Sequence, residues 1–153
     1  MSFEKAKKYL QEKGYEDHII ELEDSSATVQ LAAEALGVEP GMIAKTLSFL
    51  VSDTPILILA EGTARVDNHK YKDTFRTKAK MIPFDDVEDF IGHAPGGVCP
   101  FAVREGVRAY LDESLKRFET VYPAAGSANS AVRLTPQELE HCIENVTWID
   151  VCK

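Results

Sequence analysis

The sequence predicts one α+β domain with a mixed sheet, and three observations carry that expectation. Its 153 residues suit a single core, since a chain of this size buries about 68–70% of its unfolded surface. Short strand-like runs are interleaved with short runs in which apolar residues recur every three and four positions. No internal repeat, low-complexity tract or linker interrupts the succession.

Taken in order, Ser2 to Lys13 reads as a helix with Phe3, Ala6 and Leu10 on its buried stripe, stopped by Gly14. His18 to Leu22 reads as a strand. Thr28 offers an N-cap to a helix whose Val29, Ala32, Ala33 and Leu36 share one face, and Gly37 stands where a left-handed C-cap is usual. Glu39-Pro40-Gly41 turns the chain into a strand from Met42 to Val51. After the turn Ser52-Asp53-Thr54-Pro55, the unbroken apolar run Ile56 to Ala60 fits a central strand covered on both faces. Asp67 to Phe75 is expected to be helical, with Val66, Tyr71 and Phe75 buried, and Phe84 to Ile91 forms a shorter helix. Gly92 to Pro100 holds three glycines and two prolines in nine residues and can only be a loop. Val107 to Leu111, Thr120 to Tyr122, Val132 to Leu134 and Thr147 to Val151 read as strands, with a turn or helical bend at Asp112 to Leu115. Thr135-Pro136-Gln137-Glu138 is a strong helix start, combining a cap, a first-turn proline and a capping-box glutamate. Leu139, Cys142, Ile143 and Val146 give that helix its core face.

One residue contradicts its own strand. Alternation from Met42 to Val51 sets Ile43, Lys45, Leu47, Phe49 and Val51 on one face, and Ala44, Thr46, Ser48 and Leu50 on the other. A lysine in the more apolar row must reach solvent, find a partner, or line a concave site, because an unpaired buried ammonium is costly. Contradictions of this kind tend to mark functional sites.

Composition narrows the classes. A hydrophobic fraction of 44% and a charged fraction of 27% are those of a globular protein. No apolar run reaches the roughly 20 residues of a membrane span, and the N-terminus lacks the apolar core of a signal peptide. A cytoplasmic location without a membrane partner is therefore expected. Cys99, Cys142 and Cys152 form no CxxC pair and suit reduced thiols. His18, His69, His93 and His141 show no metal-ligand spacing, so neither metal nor cofactor is expected. The net charge of −8 argues against nucleic-acid binding by the whole surface, and no DNA partner is expected. Charge is unevenly spread, however. Arg65 to Lys80 carries six basic residues against two acids, a net +4, which leaves −12 on the remainder. Such a run is either a solvated face or a local phosphate-contacting patch on an acidic body.

Three pieces together resemble the YbaK/ProX family, the free-standing relatives of the prolyl-tRNA synthetase editing domain. They are the lysine-bearing strand Gly41-Met42-Ile43-Ala44-Lys45-Thr46-Leu47, the loop Gly92-His93-Ala94-Pro95-Gly96-Gly97-Val98-Cys99-Pro100-Phe101 with its Gly96-x-x-x-Pro100, and the pair Tyr110 to Leu115 and Ala125 to Asn129 ahead of the Thr135-Pro136 helix. Their order and spacing cover about Thr28 to Leu139. The resemblance implies a single editing domain over residues 1–153, with a mixed, mainly antiparallel, barrel-like sheet flanked by helices. It implies a deacylase that hydrolyses mischarged aminoacyl-tRNA in trans, tRNA-Pro being the expected carrier and the acceptor end the partner. Editing is needed because one methylene in a pocket discriminates by only about 1–3 kcal/mol.

The resemblance also assigns residues. Lys45 would hold phosphate or polarise the acyl end. The amides of Gly96, Gly97 and Val98 would approach the aminoacyl group, unobstructed by a Cβ at the glycines, and Pro100 would stiffen the loop. Water activation would draw on the substrate's own ribose hydroxyl. His93 either orients substrate or caps the preceding helix. Asp112 is a helix-start residue near the pocket or a direct contact, Ser127 a contact or part of a turn, and Asn129 a hydrogen-bonding partner of the aminoacyl group or an Asx turn. Cys99 invites a nucleophile reading, yet it falls at a variable position of the family loop. Two departures stand out: Ala102 replaces a common glycine, and Ala124 and Ala131 stand where members that clear cysteinyl-tRNA carry a serine and an acid. Small aliphatic or hydroxylated amino acids are then the open substrates. The rival reading is a non-catalytic module that binds tRNA or docks onto a synthetase.

Overall fold

The apolar run Ile56 to Ala60 lies in the strand that organises the molecule. β2 (Ala44–Val51) and β3 (Thr54–Glu61) pair antiparallel along their whole length, from Val51↔Thr54 to Ala44↔Glu61. On its other edge β3 pairs parallel with β4 (Arg108–Asp112), which pairs parallel with β6 (Thr147–Ile149). The computed structural model describes residues 2–153, and their four-stranded sheet runs β2-β3-β4-β6. β3 is neighboured on both edges and covered on both faces, so every residue from Ile56 to Glu61 is buried and its sequence does not alternate. A second, two-stranded antiparallel sheet joins β1 (Ile19–Glu21) to β5 (Ser130–Val132). The architecture is the expected mixed α+β domain, and the larger sheet stays open rather than closing into a barrel.

Each face of that sheet has its own core. On one side Leu57, Leu59 and Leu111 meet Ala6 and Leu10 of α1 (Ser2–Glu12), with Phe101 and Leu139. On the other, Phe49, Ile56 and Ile58 pack against Tyr71 of α3 (Asn68–Phe75), whose ring lies 5.2 Å from that of Phe49. The predicted caps form. Thr28 Oγ1 accepts from Leu31 N–H at the start of α2 (Val29–Leu36), which ends at Gly37 with φ +69°. Phe84–Asp86 is a 3-10 turn leading into α4 (Val87–Ile91). Thr135 and Glu138 make the capping box of α5 (Pro136–Cys142).

Several expected boundaries move. Thr120 to Tyr122 is not a strand, because Val121 and Tyr122 make only single bridges, to Leu134 and Ile43. The last strand stops at Ile149, and Ser130–Val132 rather than Val132 to Leu134 is the paired segment. Asp112 to Leu115 resolves as the entry to a 3-10 turn, Glu113–Arg117. No described helix is long and apolar enough to cross a membrane.

Candidate active site

β2 has one edge that β3 does not use, and that edge is capped only at its ends. In an antiparallel strand, alternate residues turn both backbone groups to the same side. Leu50 N–H donates to the Lys80 carbonyl at 2.8 Å and the Ser48 carbonyl accepts from Ile82 N–H at 3.1 Å. At the other end Ala44 N–H donates to the Tyr122 carbonyl at 3.1 Å. Thr46, midway in the same parity, also faces outward. Among the described residues no bond outside the hairpin reaches its N–H or C=O. Over this gap lies a cleft of about 240 Å³. Its walls are segment 26–29 leading into α2, residues 44–48 of β2, Pro95, Gly96 and Val98 of the glycine–proline loop, and parts of the 122–131 chain.

Lys45 resolves its sequence contradiction by finding carbonyl partners. In register with Ala60, it lines the cleft and sends its Nζ to the carbonyl oxygens of Gly62, at 3.4 Å, and Ala64. Burial pushes its pKa below the ordinary 10.5. Cys152 and Glu61 oppose that shift, and Arg65 adds to it. An ammonium has three N–H donors, so two carbonyl bonds leave one for a ligand.

The glycine–proline loop divides its residues between cleft and core. Gly96 adopts φ +90°, a left-handed conformation that suits glycine, and it lines the cleft with Val98. No backbone acceptor engages the N–H of Gly96 or Val98 among the described residues. Gly97 lies apart from them. Its N–H donates to the Ala94 carbonyl at 3.0 Å, and a Cβ there would sit 2.7 Å from the backbone carbon of Gly126. Its lack of a side chain serves loop-to-loop packing, and its amide is already spent.

Several residues expected at the substrate are held elsewhere. His93 is fully buried, with its Nε2–H donating to the Phe101 carbonyl at 2.7 Å and Nδ1 left without a partner. Burial pushes its pKa below 6.5, against the Phe101 bond, and Lys5 adds to the lowering. Cys99 Sγ lies 3.5 Å from His93 Nε2, a spacing that resembles a nucleophile–base pair. The thiol is fully buried, however, and desolvation pushes it up to about 12. A thiol in that state supplies no thiolate near neutral pH, so the pair is a core contact. Pro100 is buried behind the loop. Asp112, 1% exposed, accepts from the amides of Ser114 at 2.9 Å and Val151 at 2.8 Å and thereby fixes the chain after β4. Ser127 donates to Asn129 Oδ1 or to Ser130 Oγ, and Asn129 Nδ2 donates to the Leu22 carbonyl, so both order the 127–130 turn beside the cleft. None of His93, Gly97, Pro100, Asp112, Ser127 and Asn129 lines the cleft.

Residues to which sequence reading gave no site role do line it, namely Ser26, Thr28, Thr46, Ser48, Tyr122 and Ser130, beside Ala124 and Ala131, which the sequence had singled out. The available signal was the pair Thr46 and Ser48, two hydroxyls alternating on a strand that is apolar apart from them and Lys45. Among the described residues no carboxylate, imidazole or thiol lines the cleft.

Comparison with known proteins gives this arrangement a context. A family model described as an aminoacyl-tRNA editing domain matches residues 23–142. The uncharacterized protein YwhH of Bacillus subtilis (strain 168) is 47% identical over 154 residues, spanning 100% of this chain and 98% of its own. EbsC of Enterococcus faecalis (strain ATCC 700802 / V583), named as a candidate Cys-tRNA(Pro)/Cys-tRNA(Cys) deacylase, is 25% identical over 127 residues, 82% of this chain and 77% of its own. The crystal structure of a candidate trans-editing enzyme for prolyl tRNA synthetase superimposes with a TM-score of 0.88 at 29% identity, covering 99% of this chain and 97% of that one.

Proposed function

This chain belongs to the aminoacyl-tRNA editing domain family, and we propose that it is a cytoplasmic hydrolase, one domain over residues 1–153, that clears mischarged tRNA-Pro in trans. The reaction adds a water oxygen to the ester carbonyl carbon. The bond to the terminal ribose oxygen breaks, the ribose takes the proton, and free amino acid and uncharged tRNA leave.

One observation carries this reading: the cleft gathers unspent main-chain groups and one lysine without a side-chain base. The amides of Gly96 and Val98 are the donors for the developing oxyanion, preorganised by the loop so that no reorganisation is needed as charge grows. The Thr46 carbonyl, open on the β2 edge, accepts from the substrate's α-ammonium. Lys45 supplies the cation that grips a phosphate or the acyl oxygen, through the N–H that its two carbonyl bonds leave over. With no carboxylate or imidazole on the walls, the attacking water is oriented by the substrate's own ribose hydroxyl. Ala124 and Ala131 narrow the cleft with methyl groups, and the nearby serine and threonine hydroxyls suit a small aliphatic or hydroxylated aminoacyl side chain.

The test is a deacylation panel. Purified protein is mixed with tRNA-Pro carrying alanine, serine or cysteine, with the Lys45→Ala protein alongside. Faster ester loss for at least one substrate, abolished in the variant, is the expected result. Esters that stay intact across a full panel of mischarged tRNAs overturn the reading. If such tRNAs are nonetheless bound with a steep salt dependence, the chain is a tRNA-binding module instead.

A further inference from the structure

We propose that the stretch Arg76 to Phe84 is the docking track for the single-stranded 3′ end of tRNA, with a base stacked on Phe84. This rests on the deacylase reading of the cleft and assigns its partner surface. Phe84 is 74% exposed and Met81 58% exposed, the two most exposed large hydrophobic side chains among the described residues. They lie three positions apart, and Met81 is itself part of the cleft wall. An exposed aromatic ring beside a cleft is a stacking platform that every base can use, because each has a π-face.

Charge selects the occupant. Arg76, Lys78 and Lys80 are exposed, and none forms an ion pair among the described residues, whereas Lys70 nearby is tied to Asp150 at 3.0 Å. Unpaired cations in a run suit a phosphodiester backbone, and the net charge of −8 carried by each whole chain disfavours a second copy as the occupant. Beyond Phe84 the sign reverses: Asp85, Asp86, Glu88 and Asp89 are all exposed. Phosphates are thereby confined to the Arg76–Lys80 side, and the track ends where a strand terminus would need no further phosphate.

The track also leads into the cleft. Hydrogen bonds from Leu50 N–H to the Lys80 carbonyl and from Ile82 N–H to the Ser48 carbonyl pin it to the β2 edge, immediately beside the open backbone of Thr46. A 3′-terminal nucleotide held at Met81 and Phe84 delivers its ester to that gap.

The experiment measures binding and is blind to hydrolysis. A fluorescent single-stranded RNA oligonucleotide ending in CCA is titrated with wild-type protein, Phe84→Ala, Phe84→Tyr and Lys78→Ala/Lys80→Ala over a salt series. Phe84→Ala should weaken binding by about 5- to 160-fold, the range for one stacked base, and Phe84→Tyr should restore it. The double lysine variant should flatten the slope of log K against log salt by about 1.4. An unchanged affinity in Phe84→Ala overturns the proposal, as does wild-type protein that fails to bind the oligonucleotide. It is also overturned if Phe84→Ala converts a dimer to a monomer without altering RNA affinity. Phe84-dependent binding here, together with intact esters in the separate deacylation panel, would leave the track standing and remove only the deacylase reading.

Discussion

β2 and β3 are two halves of one hairpin, eight residues each and in register throughout, yet they do opposite work. From Ile56 to Leu59, β3 is paired on both edges and buried on both faces, and nothing there is free to meet a ligand. β2 spends one edge on β3, caps the ends of the other with Lys80, Ile82 and Tyr122, and leaves Thr46 open to the cleft. A strand with no unspent backbone can only support. A strand with a short gap, shielded at both ends, has backbone groups to offer a ligand while presenting little edge for another chain to pair with. The same division runs through the glycine–proline loop, where Gly96 and Val98 face the cleft while His93, Cys99 and Phe101 fill the core.

This contrast can be broken by substitution, beginning with the largest effect. Leu57→Ala in β3 should cost about 2–5 kcal/mol of stability by leaving a cavity in a fully buried strand, read by urea denaturation, with residual activity in the folded fraction. A loss below about 1 kcal/mol would mean that β3 does not anchor the core. Lys45→Ala in β2 should do the reverse, lowering kcat/KM by at least about 100-fold while the denaturation midpoint moves little. Undiminished deacylation would take Lys45 out of the site.

A third measurement probes the buried half of the loop. His93 has a folded pKa below 6.5, because desolvation disfavours its charged form. The stability gained by keeping it neutral is complete above pH 6.5 and is lost as the pH falls through the folded value, since the unfolded chain takes up the proton first. Stability should therefore decline below pH 6.5 in wild type and decline less steeply in His93→Gln. Identical slopes would show that His93 does not titrate on unfolding. The smallest effect is expected at Thr46, whose hydroxyl is buried without a partner. Thr46→Val should change stability by no more than about 0.5 kcal/mol, and because the Thr46 backbone is retained, activity should persist. A large loss of activity at unchanged stability would move the recognition from the backbone to the hydroxyl.

The elements were legible where their signals are local. Thr28 with Gly37, Thr135 with Glu138, and the apolar run of β3 each declare themselves within about ten residues, because capping and continuous burial act over one or two turns of chain. Thr120 to Tyr122 misled because its alternation is real while its partners, Ile43 and Leu134, meet it at one residue each. In the site, Lys45 stood out as a charge in an apolar row, and the glycines as a loop. The division of labour among Gly96, Gly97 and Val98 was not legible, since it depends on the backbone of Gly126, some thirty residues away in sequence.

The amino-acid sequence by itself determined the family, the α+β class and the residues from which a site could be made, through patterns that survive in an extended chain. Tertiary structure alone decided which of those residues face the cleft. Lys45 meets carbonyls 17 and 19 positions further along, His93 and Cys99 turn inward together, and Thr46 is left unpaired between two distant caps. Such outcomes depend on where remote segments arrive when the core closes, and no local periodicity encodes that arrival.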